Sequence, residues 1–419
     1  MEVKPGYKQT GVGVVPVDWD VRRLDDATEP HRPICYGIVQ TGPNVQNGVP
    51  CLRVVDINDG IISKTELIRT STRISDSYRR TVLKAGDLVM PLRGKVGDVA
   101  IIDKDLEGAN LTRGVALLAI RKDLSGPFFR HFISWSTTRR RLEQSMNGSA
   151  LQEIPIATLR GFEIATPRSE TERCVIAAAL NDADELLSGL DRLITKKRDL
   201  KQAAMQQLLT GQTRLPGFHG EWQVKPLGQL IVDCFSGATP RRNRPDYFKG
   251  DIRWITSGEL NYNVITDTIE KITSEAAART NLTLVPKDTF LMAITGLEAE
   301  GTRGACGIVG VPSTTNQSCM AVFPTSELIT TYLFYYYVFR GKALALQYCQ
   351  GTKQQSYTAK LVKQLPIQLP PTPAEQTAIA EVLSDMDAEL AALEQRRVKI
   401  CGLKQAMMQE LLTGKIRFV

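Results

Sequence analysis

The sequence contains one segment twice. Residues 200–211 read LKQAAMQQLLTG and residues 403–414 read LKQAMMQELLTG, so ten of twelve positions are identical at an offset of 203 residues. The same offset aligns Trp19 with Trp222. A repeat at one fixed offset constrains the fold strongly, because both halves must adopt the same architecture. We therefore predict a tandem duplication, in which a globular block of about 150 residues is followed by a helix of about 40 residues and both are then repeated.

Each repeated segment is predicted to end a long helix. Residues 169–172 (SETE) and 372–375 (TPAE) have the spacing of a capping box, which marks a helix start. Gly211 and Gly414 follow the two helices and are placed for a left-handed C-terminal cap.

Between the caps, apolar residues recur at intervals of three and four and form a heptad seam. The seam consists of Ile176, Leu180, Ala183, Leu187, Leu190, Ile194, Ala204 and Leu208 in the first helix, and of Ile379, Leu383, Met386, Leu390, Leu393, Ile400, Met407 and Leu411 in the second. Lys197 and Lys201 interrupt the first seam, and Arg397 and Lys404 the second. A helix about 60 Å long with such a seam needs a partner along its length. We predict that the two helices pair antiparallel, either as simple packing or as a spacer between the two blocks.

The globular blocks have the short strands of a mixed fold. We predict strands at residues 51–57, 87–90, 98–102 and 115–120 with a helix at 127–146, and in the second block strands at 252–256, 290–294, 305–309 and 320–323 with a helix at 330–350. The predicted fold class is α/β of the α+β type, with two globular mixed domains related by a pseudo-two-fold axis and separated by an antiparallel helix pair. The expected domain ranges are 1–166, 167–214, 215–369 and 370–419.

Composition and motifs exclude several classes of protein. Eight cysteines without a CxxC pair, together with three histidines, give no zinc-site spacing, so reduced cytoplasmic thiols are expected. No apolar run approaches the roughly 18 residues of a membrane span, and the first residues do not resemble a secretory signal. The sequence has no P-loop, no GxSxG and no HExxH motif. We expect no catalytic residue, no cofactor and no metal, while the net charge of +7 permits a polyanionic partner.

Several motifs together resemble the specificity subunit of a type I restriction–modification system. They are the two helix-ending segments, the helix starts, residues 236–240 (SGATP), residues 252–260 (IRWITSGEL) and residues 316–318 (NQS). The first block departs from this pattern. It has Asn110-Leu111 where the family often has Asn-Gln, and it lacks the entry sequence found at 236–240.

The resemblance implies a role in DNA recognition. Residues 1–166 and 215–369 would be target recognition domains, each reading one half of a bipartite site in double-stranded DNA. The helices at 167–214 and 370–419 would set the spacer and dock two methyltransferase subunits, through which motor and nuclease subunits join. Methylation, ATP hydrolysis and cleavage would belong to those partners, and this chain has no (D/N)PP(Y/F) element.

DNA contacts are expected from basic and amide side chains in loops. Arginine and lysine bind phosphates, and arginine, lysine, asparagine and glutamine read base edges in the major groove. The candidates are Arg93, Lys95, Arg113, Arg139, Arg140, Arg141, Asn147 and Gln152 in the first block, and Arg241, Arg242, Arg244, Arg303, Lys353, Gln354, Gln355 and Tyr357 in the second. The alternative for the Arg139–Arg141 run is a solvated helix face.

Other functions remain open at this point: a free-standing, repressor-like DNA-binding protein, the specificity subunit of a type IIB-like restriction system, or an enzyme with an unrecognised site. Small and apolar residues off the seam favour helices that dock a partner. They are Ala177, Ala178, Ala179, Ala203, Met205 and Met408.

Overall fold

The computed structural model describes residues 4–148, 152–351 and 355–418. The chain forms two compact units, and the boundaries between them fall inside both long helices. Unit 1 comprises Met1–Asp191 and Arg396–Val419, and unit 2 comprises Arg192–Gln395. Each unit therefore contains one globular block together with parts of both long helices.

Unit 1 is a mixed helix and strand structure. Its strands are β1 (Tyr7–Thr10), β2 (Gly13–Pro16), β3 (Trp19–Arg23), β4 (Cys35–Tyr36), β5 (Val49–Leu52), β6 (Ile57–Asn58), β7 (Ile61–Ile62), β8 (Ile68–Thr70), β9 (Leu88–Pro91), β10 (Ala100–Ile101), β11 (Asn110–Leu111), β12 (Val115–Leu118) and β13 (Glu163–Pro167). Its helices are α1 (Thr72–Ser77), α2 (Gly126–Ser134), α3 (Ser136–Gln144), α4 (Ile156–Arg160) and the start of α5 (Glu170–Leu208).

The main sheet of unit 1 has the antiparallel order β10-β9-β12-β4. A second sheet, β11-β5-β8, contains the parallel pair β11 and β5, in which Leu111 lies opposite Leu52. Strands β3 and β13 pair antiparallel and bring the block's beginning to the start of α5. Both main strands, β9 and β12, are buried throughout, because helices and the second sheet cover their faces.

Unit 2 has strands and helices of the same kinds. The strands are β14 (Gln223–Pro226), β15 (Ile231–Ser236), β16 (Ile252–Ile255), β17 (Asn263–Ile265), β18 (Lys271–Ile272), β19 (Phe290–Ala293), β20 (Cys306–Val309), β21 (Thr314–Thr315), β22 (Cys319–Pro324) and β23 (Pro366–Leu369). The helices are α6 (Ser274–Arg279), α7 (Thr330–Tyr348), α8 (Ala359–Gln364) and α9 (Pro373–Leu411), the last of which continues into unit 1.

The sheets of unit 2 repeat those of unit 1. The order β20-β19-β22-β15 corresponds to β10-β9-β12-β4, with β17 added at one edge. The sheet β18-β16-β21 again contains one parallel pair, β16 and β21, and the pair β14 and β23 corresponds to β3 and β13. The duplicated architecture predicted from the offset of 203 residues is therefore confirmed.

The ends of α5 and α9 follow the prediction in part. Ser169 and Thr372 accept a hydrogen bond from the backbone N–H three residues later, at 3.3 Å in both cases. Gly211 and Gly414 have φ values of +71° and +67°, as a left-handed cap requires. The reciprocal half of the capping box is absent from both helix starts, because the Glu172 and Glu375 carboxylates bind arginines instead.

The two long helices pair antiparallel within each unit, as predicted. In unit 1 the Lys404 ammonium reaches Asp184 and the Arg397 guanidinium reaches Asp191, so rising numbers in α5 meet falling numbers in α9. In unit 2 Lys201 pairs with Asp387 in the position that corresponds to Lys404 and Asp184. The basic interruptions of the seam are thus filled by acidic partners from the opposite helix.

Two predicted elements differ from the structure. The strand expected at 51–57 ends at Leu52, because the Asp56 carboxylate accepts from the Arg53 backbone N–H at 2.7 Å and holds a short 3-10 turn. The helix expected at 127–146 is divided into α2 and α3 at Trp135, whose backbone is extended and whose indole packs edge-on against Phe132.

Both cores include residues of the long helices. Ala177 and Met408 are buried in the core of unit 1, and Met205 is buried in the core of unit 2. These three residues stabilise their own unit and are not an exposed docking surface, which corrects that interpretation. Among the residues described, no helix is long and apolar enough to cross a membrane.

Candidate nucleic-acid interface

Three of the arginines predicted to contact DNA in unit 2 bind groups of their own unit. Arg242 donates to both oxygens of Glu270 at 2.6 and 2.9 Å, and this hydrogen bonding lowers the pKa of Glu270. Arg244 forms the same kind of pair with Asp246 at 2.9 and 2.6 Å. Arg303 donates to the backbone carbonyls at 297 and 298, both at 2.9 Å, and closes the loop that contains it.

Two of these guanidinium groups also lie over aromatic rings. Arg242 lies 4.5 Å from the ring centre of Phe248, and Arg244 lies 4.7 Å from that of Tyr247. A guanidinium that has both a carboxylate and a ring as partners is oriented before any ligand arrives. Arg242 and Arg244 therefore stabilise the 241–248 segment, although each keeps about half of its side chain exposed.

Two arginines of the basic run at 139–141 in unit 1 also bind groups of their own unit. Arg139 pairs with Asp98, whose side chain is only 5% exposed, and its aliphatic part lies over Gly97. Arg141 donates to the Glu163 carbonyl at 3.1 Å and lies over Phe162, and burial lowers its pKa. Lys95, in a separate loop, donates to the Asn58 side chain.

Four arginines of the predicted set remain exposed without a hydrogen bond or ion pair of their side chain to any residue that the structure describes: Arg93, Arg113, Arg140 and Arg241. An exposed guanidinium without a partner in its own protein gives up only hydrogen bonds to water when it binds phosphate or a base edge. These four are therefore the strongest candidates for DNA contact.

Arg93 and Arg113 lie together at an open cleft of about 520 Å³ in unit 1. Arg93 follows β9, and Arg113 follows β11, so adjoining sheets bring them to one place. Glu153 lines the cleft and forms β-bridges with both Arg93 and Asn147. Asn147, which is bridged to Glu153, and Gln152, which precedes it, are both exposed. Two candidates, Arg93 and Arg113, thus line one cleft, and Asn147 and Gln152 lie next to its lining residue Glu153.

The corresponding part of unit 2 contains the remaining candidates. Ser356 forms β-bridges with Thr295 and Gln350, which repeats the bridges of Glu153 in unit 1. The Gln355 backbone N–H donates to the Glu298 carboxylate at 2.9 Å, and its side chain is half-buried. Tyr357 is 3% exposed and packs in the core, so its position excludes direct contact with DNA. The predictions for Lys353 and Gln354 lie outside the described residues.

The structure also brings together residues that were not among the predicted contacts. Gln317 is exposed after β21, and Thr239 donates a hydrogen bond to its Oε1. Thr295 donates to the Ser318 hydroxyl at 2.7 Å beside them. The sequence did carry a signal, since Thr239 and Gln317 belong to two of the motifs on which the family resemblance depends, but their proximity arises only from folding.

No cluster of three or more His, Cys, Asp or Glu side chains in the described ranges could hold a metal ion. Burial raises the pKa of the thiols of Cys51, to about 11, and of Cys306 and Cys319, which keeps them protonated.

Comparison with known proteins agrees with this geometry. Residues 219–400, which lie mainly in unit 2, match the family model for the type I restriction modification DNA specificity domain. The chain is 25% identical to the type I restriction enzyme EcoBI specificity subunit of Escherichia coli over 203 residues, and this match spans 48% of the chain and 43% of that subunit. The MjaX protein of Methanocaldococcus jannaschii, named for the same class of subunit, is 23% identical over 98% of the chain and 96% of its own length.

Solved structures show the same fold over nearly the whole chain. The S subunit of the type I restriction–modification system of M. genitalium aligns with a TM-score of 0.62 and 14% identity over 98% of each chain. A chain from a study of complex assembly and conformational transition of the type I R-M system aligns with a TM-score of 0.59 and 17% identity over 96% of this chain and 99% of that one.

The duplicated blocks and the long helix pair are the fold that these solved structures share, and residues 219–400 are similar to the type I restriction modification DNA specificity domain.

Proposed function

We propose that this chain is the sequence-specific DNA-recognition subunit of a type I restriction–modification complex. Each globular domain, at 1–166 and at 215–369, reads one half of a bipartite site. One observation carries the proposal: two units of the same architecture present different side chains at corresponding loops, as two readers of different half-sites require. The match of residues 219–400 to the specificity-domain family, and the similarity of nearly the whole chain to the MjaX protein, support it.

The proposed role is recognition without catalysis. Two methyltransferase subunits dock on the helical segments at 167–214 and 370–419, and motor and nuclease subunits join through them. These partners supply methylation, ATP hydrolysis and cleavage. The exposed arginines Arg93, Arg113, Arg140 and Arg241 contact DNA, and those among them that bind phosphate make binding strongly dependent on salt.

The test is to express the chain together with a methyltransferase subunit of its host and to map methylated adenines by single-molecule sequencing. The expected motif has two short specified segments separated by an unspecified spacer. Methylation of DNA by this chain alone would show that the chain is itself an enzyme. Sequence-specific DNA binding without any association with a methyltransferase would show that it is a free-standing DNA-binding protein. Either result would overturn the proposal.

We further propose that the helix pair sets the spacer. Residues 192 and 395 are equivalent positions at the boundary between the units, outside every ion pair described above. Seven residues inserted after both positions keep the heptad phase and add about 10 Å of helix. The preferred spacer should lengthen by up to about three base pairs, given a rise of about 3.4 Å per base pair. An unchanged spacer in a folded, active variant would refute the role of the helices as a ruler.

A further inference from the structure

The clefts of the two units can be aligned residue by residue from main-chain contacts. A Cβ atom at Gly37 would lie 2.0 Å from the Leu111 carbonyl oxygen, and one at Gly237 would lie 1.8 Å from that of Thr315. The residue after each glycine donates its N–H to the same carbonyl, at 2.7 Å in unit 1 and 3.1 Å in unit 2. Only glycine permits this approach, so both clefts are built on one backbone contact.

A second contact fixes the opposite side of each cleft. Leu92 donates its N–H to the Gly114 carbonyl at 2.8 Å, and Ile294 donates to that of Ser318 at 2.9 Å. Together with the β-bridges of Glu153 and Ser356, these contacts give the correspondence. Arg93, Arg113 and Glu153 in unit 1 occupy the positions of Thr295, Gln317 and Ser356 in unit 2.

We infer that these three positions determine which base pair each unit reads, and that unit 1 reads a G·C pair there while unit 2 reads an A·T pair. The inference rests on the proposed function and assigns the chemistry of the same surface. In the major groove, guanine presents two acceptors, N7 and O6, which match a guanidinium, and adenine presents one acceptor and one donor, which match a carboxamide.

The side chains of unit 1 fit guanine. Arg93 and Arg113 are exposed at one cleft and keep their guanidinium donors unpaired among the described residues. Glu153 adds a carboxylate to the same cleft. A carboxylate repels a phosphate but accepts a hydrogen bond from N4 of cytosine. Two arginines with one glutamate therefore fit the edges of a G·C pair better than they fit the DNA backbone.

The side chains of unit 2 fit adenine. Gln317 is exposed, and its Oε1 accepts a hydrogen bond from the Thr239 hydroxyl. One lone pair of that oxygen and both Nε2 hydrogens remain for the base. The oxygen can accept from adenine N6, and the nitrogen can donate to N7. Thr239 is a positioning residue in this scheme, because it orients Gln317 without touching the base.

The test exchanges the chemistry of one cleft for that of the other. The full chain carries Arg93→Thr, Arg113→Gln and Glu153→Ser and is purified with its methyltransferase. This complex is used to select DNA from a randomised duplex library, and the sequences that it retains are counted. The preference at one position of one half-site should change from G·C to A·T, by roughly 5- to 150-fold. The other half-site should keep its sequence. The reciprocal variant Gln317→Arg should weaken the A·T preference of the second half-site.

The matched control is Arg140→Gln, which removes an exposed, unpaired arginine that does not line the cleft. It should weaken binding to all sequences alike and leave every base preference unchanged. If the triple variant folds and binds with the wild-type motif intact, the inference is wrong although the proposed function stands. If the wild-type complex selects no motif at all, the proposed function itself fails.

Discussion

The buried ion pair between Glu172 and Arg417 should determine how firmly the end of α9 is held in unit 1. Glu172 begins α5 with its side chain 2% exposed, and it accepts hydrogen bonds from Arg417 at 2.5 and 2.9 Å. The same guanidinium binds Asp18, whose side chain is 54% exposed. One arginine thus joins a buried and an exposed carboxylate, which allows the two contributions to be separated.

The structure gives the expected magnitude for each contribution. The change Arg417→Gln leaves the Glu172 charge buried without its cation, and breaking such a pair costs about 3–5 kcal/mol. Because the Arg417 side chain is 22% exposed, we expect the lower part of this range or slightly less, about 2–4 kcal/mol. The change Asp18→Asn removes only the exposed pair and should cost about 0–1 kcal/mol.

Amide hydrogen exchange measures the effect locally. Exchange at residues 405–415 should accelerate by at least about 30-fold in the Arg417→Gln variant, since 1.4 kcal/mol corresponds to a factor of ten. In unit 2, Arg214 binds Glu375, which is 1% exposed, so Arg214→Gln should accelerate exchange at residues 205–211 and leave 405–415 unchanged. If Arg417→Gln had no larger effect than Asp18→Asn, the reasoning about burial would be wrong.

Three further predictions concern stability. Burial lowers the pKa of His131 to about 4, whereas the histidine of the unfolded chain takes up its proton below about pH 6.5. The free energy of unfolding should therefore fall as the pH drops from 6.5 to 4, by about 2 kcal/mol at pH 5. Urea titrations of the His131→Phe variant should lack this pH dependence. Thermal denaturation should show that Gly414→Ala is destabilised by more than about 1 kcal/mol, because the φ of Gly414 is +67° and the new Cβ would lie 2.4 Å from a proline ring. Gly189→Ala, in an open part of α5, should instead be stabilised by up to about 1 kcal/mol. Urea denaturation should show that Arg139→Ala lowers the free energy of unfolding by about 2–4 kcal/mol, because it leaves the buried Asp98 carboxylate without its cation. A variant that loses affinity for DNA but keeps its stability would contradict the structural role of Arg139.

The sequence determined the parts of the fold that depend on local pattern. The offset of 203 residues predicted the duplication, and apolar spacing predicted the antiparallel seam of α5 and α9. Gly211 and Gly414 were correctly assigned as left-handed caps. Each of these features is encoded within one segment or by the equality of two segments, so no knowledge of tertiary contacts was needed.

Only the tertiary structure decided which polar groups are free. The sequence pattern predicted that Glu172 would close a capping box, but an arginine 245 residues away binds its carboxylate instead. The candidates for DNA contact were chosen by residue type and loop position, and folding paired Arg139, Arg242 and Arg244 with carboxylates. A guanidinium's availability depends on whether an acceptor comes within hydrogen-bonding distance, and for Arg139 and Arg242 that acceptor lies far away in the sequence and is brought near only by folding.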